Sequence, residues 1–458
     1  TVEGERPAGF VSYREIGNED LFGVLKDMEL ANLVRGKSSR EILLITGIYA
    51  REDGIGDSGV IRDAPQQLLV EVLAKELEKN YSFALFVAER GTATKEVVYV
   101  LERQGFIRPH MADESDKRTI YMVDMHEPLM FLHNLDTTIK EPFASNPAVL
   151  DAVERNHRKL QIAMTKLYPG NLVLSLSSGI MYHRLVDRIT ALNDVPREPL
   201  VPRRLGKNMC VPFGKILRGK VVPNTVTKTL HTDKVYEPDL SSFTIEPFPY
   251  YSPLKSQIET IKSFDRPVIL VDDLVHTANR LQVLVPQLRE DGIPIKKVVV
   301  GVLSGYGRDL MQCLKVPVES IYSMPNLRQW FVESTLYPFI GGDTVRREEM
   351  KVAGLQPSIN MILPYATPRL SGCSREALVE FSVCCIENSR DLFQVLEAEY
   401  RKMYAKNLTL SRLSEAVILP LCPDKGSCME YDENLAASVY LENDLETLWR
   451  MKEFMIKG

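Results

Sequence analysis

The chain is constrained most by one short stretch, Pro267 to Val283, which reads Pro-Val-Ile-Leu-Val-Asp-Asp-Leu-Val-His-Thr-Ala-Asn-Arg-Leu-Gln-Val. Four apolar residues, Val268 to Val271, are too few for a helix but suit a strand buried on both faces of a parallel sheet. Asp272 and Asp273 follow at once, where such a strand surfaces at its carboxyl end, the edge at which open α/β sheets bind ligands. Leu281 to Leu288 has helical apolar spacing, so the amides of His276 to Arg280 would point into the intervening turn and could hold an anion. A plainer reading stays open: Asp273 caps the next helix and Asp272 is solvated.

Strand, acid pair and small-residue loop together resemble the phosphoribosyl-diphosphate (PRPP) signature of type I phosphoribosyltransferases. The resemblance implies that Asp272 and Asp273 are the catalytic acids. They would hold the ribose hydroxyls directly, or through a magnesium ion reached by way of PRPP and water. It also implies that His276, Thr277, Ala278, Asn279 and Arg280 cradle the 5-phosphate. The match holds to Val275 and at Thr277, then departs. Ala278 stands where the family has glycine, which restricts the approach of backbone to phosphate. Arg280 replaces a hydroxyl residue, and its guanidinium suits phosphate.

At 458 residues the chain is too long for one ordinary domain. A net charge of -5 gives no basic footprint for nucleic acid, and none is expected as a partner. No apolar run is long enough to span a bilayer and no signal-peptide pattern opens the chain, so no membrane partner and a cytoplasmic location are expected. Seven cysteines, an odd number without paired zinc spacing, fit reduced thiols. The sequence starts at Thr1, as a processed product or a fragment would.

In the first third, strands are expected over Ala8 to Ile16, Glu41 to Ala50, Ser82 to Glu89, Phe106 to His110 and Thr119 to Met125. Helices are expected over Pro65 to Lys79, with Asp63 as N-cap, and over Thr94 to Gln104. Between the second strand and the first helix lies Arg51-Glu52-Asp53-Gly54-Ile55-Gly56. This order resembles the later two-thirds of a GNAT-type N-acyltransferase. The resemblance implies acyl-CoA binding through Arg51, Gly54 and Gly56, with acetyl-CoA or CoA as cofactor. Leu101 stands where the family often has a tyrosine general acid, and Thr94 where many members carry asparagine.

In the middle third, Asn171 to Leu176 and the turn Ser177-Ser178-Gly179 resemble the first βα unit of the phosphoribosyltransferases, which implies a diphosphate loop. Cys210 to Leu217 reads as a strand and Val221 to Asp239 as a mobile loop. Lys215, Arg218, Lys220 and Lys228 are the candidate cations for the diphosphate. Tyr306, Trp330 or Phe331 could stack on a base. The last third reads as amphipathic helices over Ser374 to Tyr404, Leu410 to Leu419 and Asn434 to Lys457, either a cap on the sheet or a homodimer surface.

The expected fold is α/β, with a partial GNAT-like domain over 1–141, a phosphoribosyltransferase-like parallel-sheet domain over 142–345 and a mainly helical region over 346–458. The order of the first two also resembles bacterial cytidylyltransferase-related multidomain proteins, although none of the seven histidines forms their His-x-Gly-His signature. Three functions follow. The first is a magnesium-dependent phosphoribosyltransferase acting on PRPP or a nucleotide and an unspecified acceptor. The second is a non-catalytic sensor of the same small phosphorylated ligands. The third is an acyl-CoA-dependent acyltransferase.

Overall fold

The structure, a computed structural model, describes residues 9–26, 28–37, 41–50, 64–89, 94–109, 118–202, 204–347, 355–425 and 431–457. It has α/β architecture. Two compact units divide it, the first formed by Thr1–Phe131, Gln161–Leu176 and Ser323–Trp330, the second by the rest. Arg51, Gly54 and Gly56 of the glycine turn, and the proposed cap Asp63, lie outside the described residues.

The first unit is built on a mixed sheet whose strands are β1 (Gly9–Ile16), β2 (Ile42–Ala50), β3 (Phe83–Glu89), β4 (Arg118–His133), β5 (Asn171–Ser177) and β13 (Gln329–Val332), with β5 and β13 both beside β4. Ile42 to Ile45 are all buried, as a run without polar alternation requires. β1 and β2 are antiparallel along their whole length, whereas β2 and β3 are parallel only from Leu43–Ala84 to Ile45–Phe86. The helix Ala64–Glu76 buries Leu69, Val70, Leu73 and Ala74, the one-sided stripe that its sequence spacing dictates. Thr94 caps the helix Lys95–Arg103 by accepting from Val97 N at 3.3 Å. Leu101 is core, while Tyr99 is exposed with the Arg103 guanidinium 5.5 Å from its ring.

Two expectations change here. Phe106 to His110 forms no strand among its described residues, only a bridge between Ile107 and Met122, while β4 runs on to His133. β5 pairs with β4 and does not begin the parallel sheet of the acid pair. The cause is Gly105: at φ +89° it turns so tightly that a Cβ there would lie 2.1 Å from Asn171 O, and Val173 N donates to Gln104 O at 3.0 Å. Only glycine admits β5 at that distance.

The second unit holds two further sheets. One follows the order β12 (Val318–Met324), β11 (Ile295–Ser304), β10 (Val268–Val275), β6 (Met209–Pro212), β7 (Val226–Thr227), and β10 is parallel to both neighbours. Val268, Ile269 and Leu270 are fully buried. Each contributes roughly 1.5–3 kcal/mol relative to exposure. Leu281, Leu284 and Leu288 of the helix Asn279–Glu290 pack into the same core.

The other sheet follows the order β16 (Leu421–Pro423), β15 (Gln356–Ile359), β14 (Asp343–Val345), β8 (Thr232–Tyr236), β9 (Phe243–Pro247). The stretch 221–239, expected as a mobile loop, therefore carries β7 and β8, because its β-branched Val and Thr residues find partner strands. Cys210 to Leu217 is strand only to Pro212. The last third supplies the helices Arg375–Tyr404 and Ala437–Lys457 but also β15 and β16, and Leu410 to Leu419 has only a short 3-10 turn, Leu410–Glu415. Among the described residues no helix is long and apolar enough to cross a membrane.

Candidate functional site

The site arises because β10 outlasts one of its neighbours. Pairing with β6 stops at Val271–Pro212, while pairing with β11 continues to Val275–Leu303. Asp272 and Asp273 therefore sit inside the strand and not beyond its end, and the side left open by β6 is filled by residues 213–220. This loop stays close. Phe213 N and Gly214 N both point to Val271 O, at 2.9 and 3.4 Å. A Cβ at Gly214 would lie 2.5 Å from Asp273 Oδ1 and 2.8 Å from Asp272 Oδ1.

The two acids have different surroundings. Asp273 accepts from two successive loop amides, Lys215 N to Oδ2 at 2.7 Å and Ile216 N to Oδ1 at 3.0 Å. Asp272 is buried, and its Oδ1 accepts from Asp273 N at 2.9 Å and faces Arg280 Nη1 at 3.8 Å. Burial pushes the Asp272 carboxyl up to about 7, with the Asp273 charge adding and the Arg280 charge opposing. Neither acid caps the following helix.

That helix begins at Ala278, which adopts φ +51°, ψ +21° and provides no side-chain cap. Alanine thus holds the left-handed conformation that glycine would take without strain, at a cost of about 1 kcal/mol. Thr277 is bracketed by Asn279 Nδ2 at 2.8 Å and Gln282 Nε2 at 3.2 Å, the first on its hydroxyl and the second on its carbonyl. His276 Nδ1 lies 2.8 Å from Ser304 Oγ, and burial lowers its pKa. Tyr306 is exposed with its ring 5.7 Å from that of His276, whereas Phe331 is buried against Phe381 and Trp330 belongs to the first unit.

The cations divide. Lys215 is open to solvent, yet the protein around it lowers its pKa by desolvation, opposed by the charges of Asp343 and Asp233. Arg218 is likewise lowered by burial and by Arg280, and its Nη2 reaches Thr232 O at 3.5 Å. Its Nε has no hydrogen-bond partner among the described residues. Lys220 instead lies over the Tyr182 ring at 4.3 Å. Lys228 is exposed just after β7, where Lys228 N donates to Cys210 O at 3.0 Å. Ser177 caps its own helix by accepting from Ile180 N, Ser178 is buried, and no hydrogen bond joins Ser177, Ser178 or Gly179 to the acids among the described residues.

The structure thus gathers Asp272, Asp273, Lys215, Arg218 and Arg280, and adds groups that sequence reading missed. Asp233 on β8 accepts from Thr344 Oγ1, and burial raises the Asp343 carboxyl on β14, opposed by Lys234 and Lys215. His231 stacks on Tyr251 at 3.7 Å, and burial with the nearby Arg218 lowers its pKa to about 4. None of these left a trace in the sequence, whereas Gly214, also missed, did: a glycine just after an apolar strand and just before a lysine. Among the described residues no three His, Cys, Asp or Glu side chains are grouped to hold a metal.

No protein-family profile matches the chain. No curated protein matches it either. A solved structure, a purine phosphoribosyltransferase from Pyrococcus horikoshii Ot3, aligns with 34% of this chain and 80% of its own length at 10% identity, with a TM-score of 0.18. A likeness that small assigns neither family nor ligand.

Proposed function

We propose that the second unit binds PRPP, or a nucleotide of similar chemistry, as its magnesium complex, and transfers the phosphoribosyl group to an acceptor. One observation supports the reading above the others. A buried acid, an uncapped helix after a left-handed turn, and Lys215, Arg218 and Arg280 all meet at the carboxyl edge of one parallel strand. That edge is where α/β sheets take ligands.

Each group has a task in this reading. Asp272 Oδ2 accepts no hydrogen bond among the described residues and would take a ribose hydroxyl. The amides opening the helix Asn279–Glu290 would take the 5-phosphate. Lys215 and Arg218 would neutralise the diphosphate as the C1–O bond breaks and its electron pair leaves with the oxygen. The acceptor then bonds to C1 and loses its proton. Magnesium belongs to the substrate here: Asp272 and Asp273 would meet it through water and the diphosphate, and both oxygens of Asp273 already accept loop amides.

Calorimetric titration of magnesium–PRPP into the wild type and Asp272→Asn tests the reading. Binding that weakens by at least about tenfold in the variant is expected. A folded wild type that gives no heat sinks it. Sensing without turnover is the second reading, favoured by the strained Ala278 in the loop; PRPP recovered intact after incubation with purines, pyrimidines and amines would support it.

A further inference from the structure

We propose that Asp273 is a positioning residue: it fastens the 213–220 loop to the sheet edge and so presents Lys215 and Arg218 to the diphosphate, leaving Asp272 alone to grip the ribose. The proposal rests on the phosphoribosyl reading for its ligand but on geometry for the division of labour. Both carboxylate oxygens of Asp273 are used, one by Lys215 N at 2.7 Å and the other by Ile216 N at 3.0 Å. Two charge-assisted bonds to neighbouring amides fix the direction of the peptide between them, and with it the base of the Lys215 side chain.

The rest of the loop follows from that anchor. Arg218 N donates to Lys215 O at 3.3 Å and Lys220 N to Leu217 O at 3.1 Å, so the turn that sets Arg218 starts at the residue that Asp273 holds. Arg218 is then steadied by Thr232 O and by the Phe248 ring at 5.2 Å. Gly214 supplies the clearance, since any side chain there meets both carboxylates. Asp273 itself is held firmly, because β10 remains paired with β11 on either side of it, at Asp272–Val300 and Leu274–Val302.

Asparagine at 273 keeps the shape but has one oxygen, so one of the two amides loses its acceptor. Two measurements on the full chain test the proposal. In amide hydrogen exchange, Asp273→Asn should lose protection over 213–220 while Asp272→Asn keeps it. In titrations with magnesium pyrophosphate and with ribose 5-phosphate, Asp273→Asn should bind pyrophosphate at least about tenfold more weakly and ribose 5-phosphate within about twofold of wild type. Asp272→Asn should do the reverse. A fold defect would weaken both ligands together, so the split carries the information.

Unchanged loop protection in Asp273→Asn overturns the anchor. Pyrophosphate binding that stays equal or tightens overturns the presenting role, and tightening would mean that the carboxylate plugs the anion site. If the wild type binds neither compound, the phosphoribosyl reading falls; loop exchange still decides the anchor.

Discussion

In each unit a strand runs on past the point where its pairing with a parallel neighbour ends. In the first, β2 leaves β3 after Ile45 and continues through Thr46-Gly-Ile-Tyr-Ala50, held on its other side by β1. In the second, β10 leaves β6 after Val271 and continues through Asp-Asp-Leu-Val275, held by β11. β6 itself ends there, whereas β3 runs on to Glu89 beside β4, and the chemistry of the two extensions differs as well. The β2 extension offers two hydroxyls and no charge, that of Thr46 bonded to Ser12 and that of Tyr49 on an exposed ring stacked on Phe10, while the β10 extension offers two carboxylates with a loop folded onto them. An early end to pairing leaves room beside a strand, and buried charge in that room is what makes the second opening a candidate site.

The sharpest way to break the comparison is to add one methyl group to a glycine in each unit. Gly105→Ala drives a Cβ into a backbone oxygen at 2.1 Å and forces an L-residue to φ +89°. A loss of about 4 kcal/mol is expected in chemical denaturation. Gly214→Ala meets carboxylate tips, which yield more easily, so about 2 kcal/mol is expected. The smaller structural loss should carry the larger functional one: magnesium–PRPP binding is expected to vanish in Gly214→Ala. Equal binding in wild type and Gly214→Ala would show that the close approach of loop and acids is irrelevant to the ligand.

Acidity sharpens the contrast next. The Asp272 pKa is raised from near 4 in the unfolded chain to about 7 in the folded one. Between those values the folded state holds a proton that the unfolded state has lost, so unfolding free energy should fall as pH rises from about 4 to about 7 and then level. Asp272→Asn should remove that fall and match or exceed the wild type above pH 7 in the absence of ligand. Parallel stability curves for the two proteins would refute the assignment. The smallest effect is expected from Ala278→Gly, which relieves a left-handed alanine and should gain up to about 1 kcal/mol, read as a rise in denaturation midpoint.

What the sequence disclosed was local. Apolar runs such as Val268 to Val271 and the stripe in 64–76 announce strand and helix because their periods are set by backbone geometry alone. Partner choice is not local. Asn171 to Leu176 reads as a strand, but nothing within it says that Gly105 will draw it to β4. In the same way, Val221 to Asp239 lacks a period because its strands are two and five residues long. At the site, the acid pair was legible from its place after an apolar run, although the strand continues through it. Asp233 and Asp343 were not, since they reach the edge from a separate sheet whose strands are far apart in sequence.

The left-handed Ala278 bears on how such chains are found. Pattern searches spell a phosphate loop in letters and treat glycine as obligatory; on the proposed reading of this turn, the requirement lies instead in a pair of dihedral angles that alanine meets under strain. Chains in which that spelling has drifted pass unnoticed through a filter written in residues, and a filter written in φ and ψ would return them.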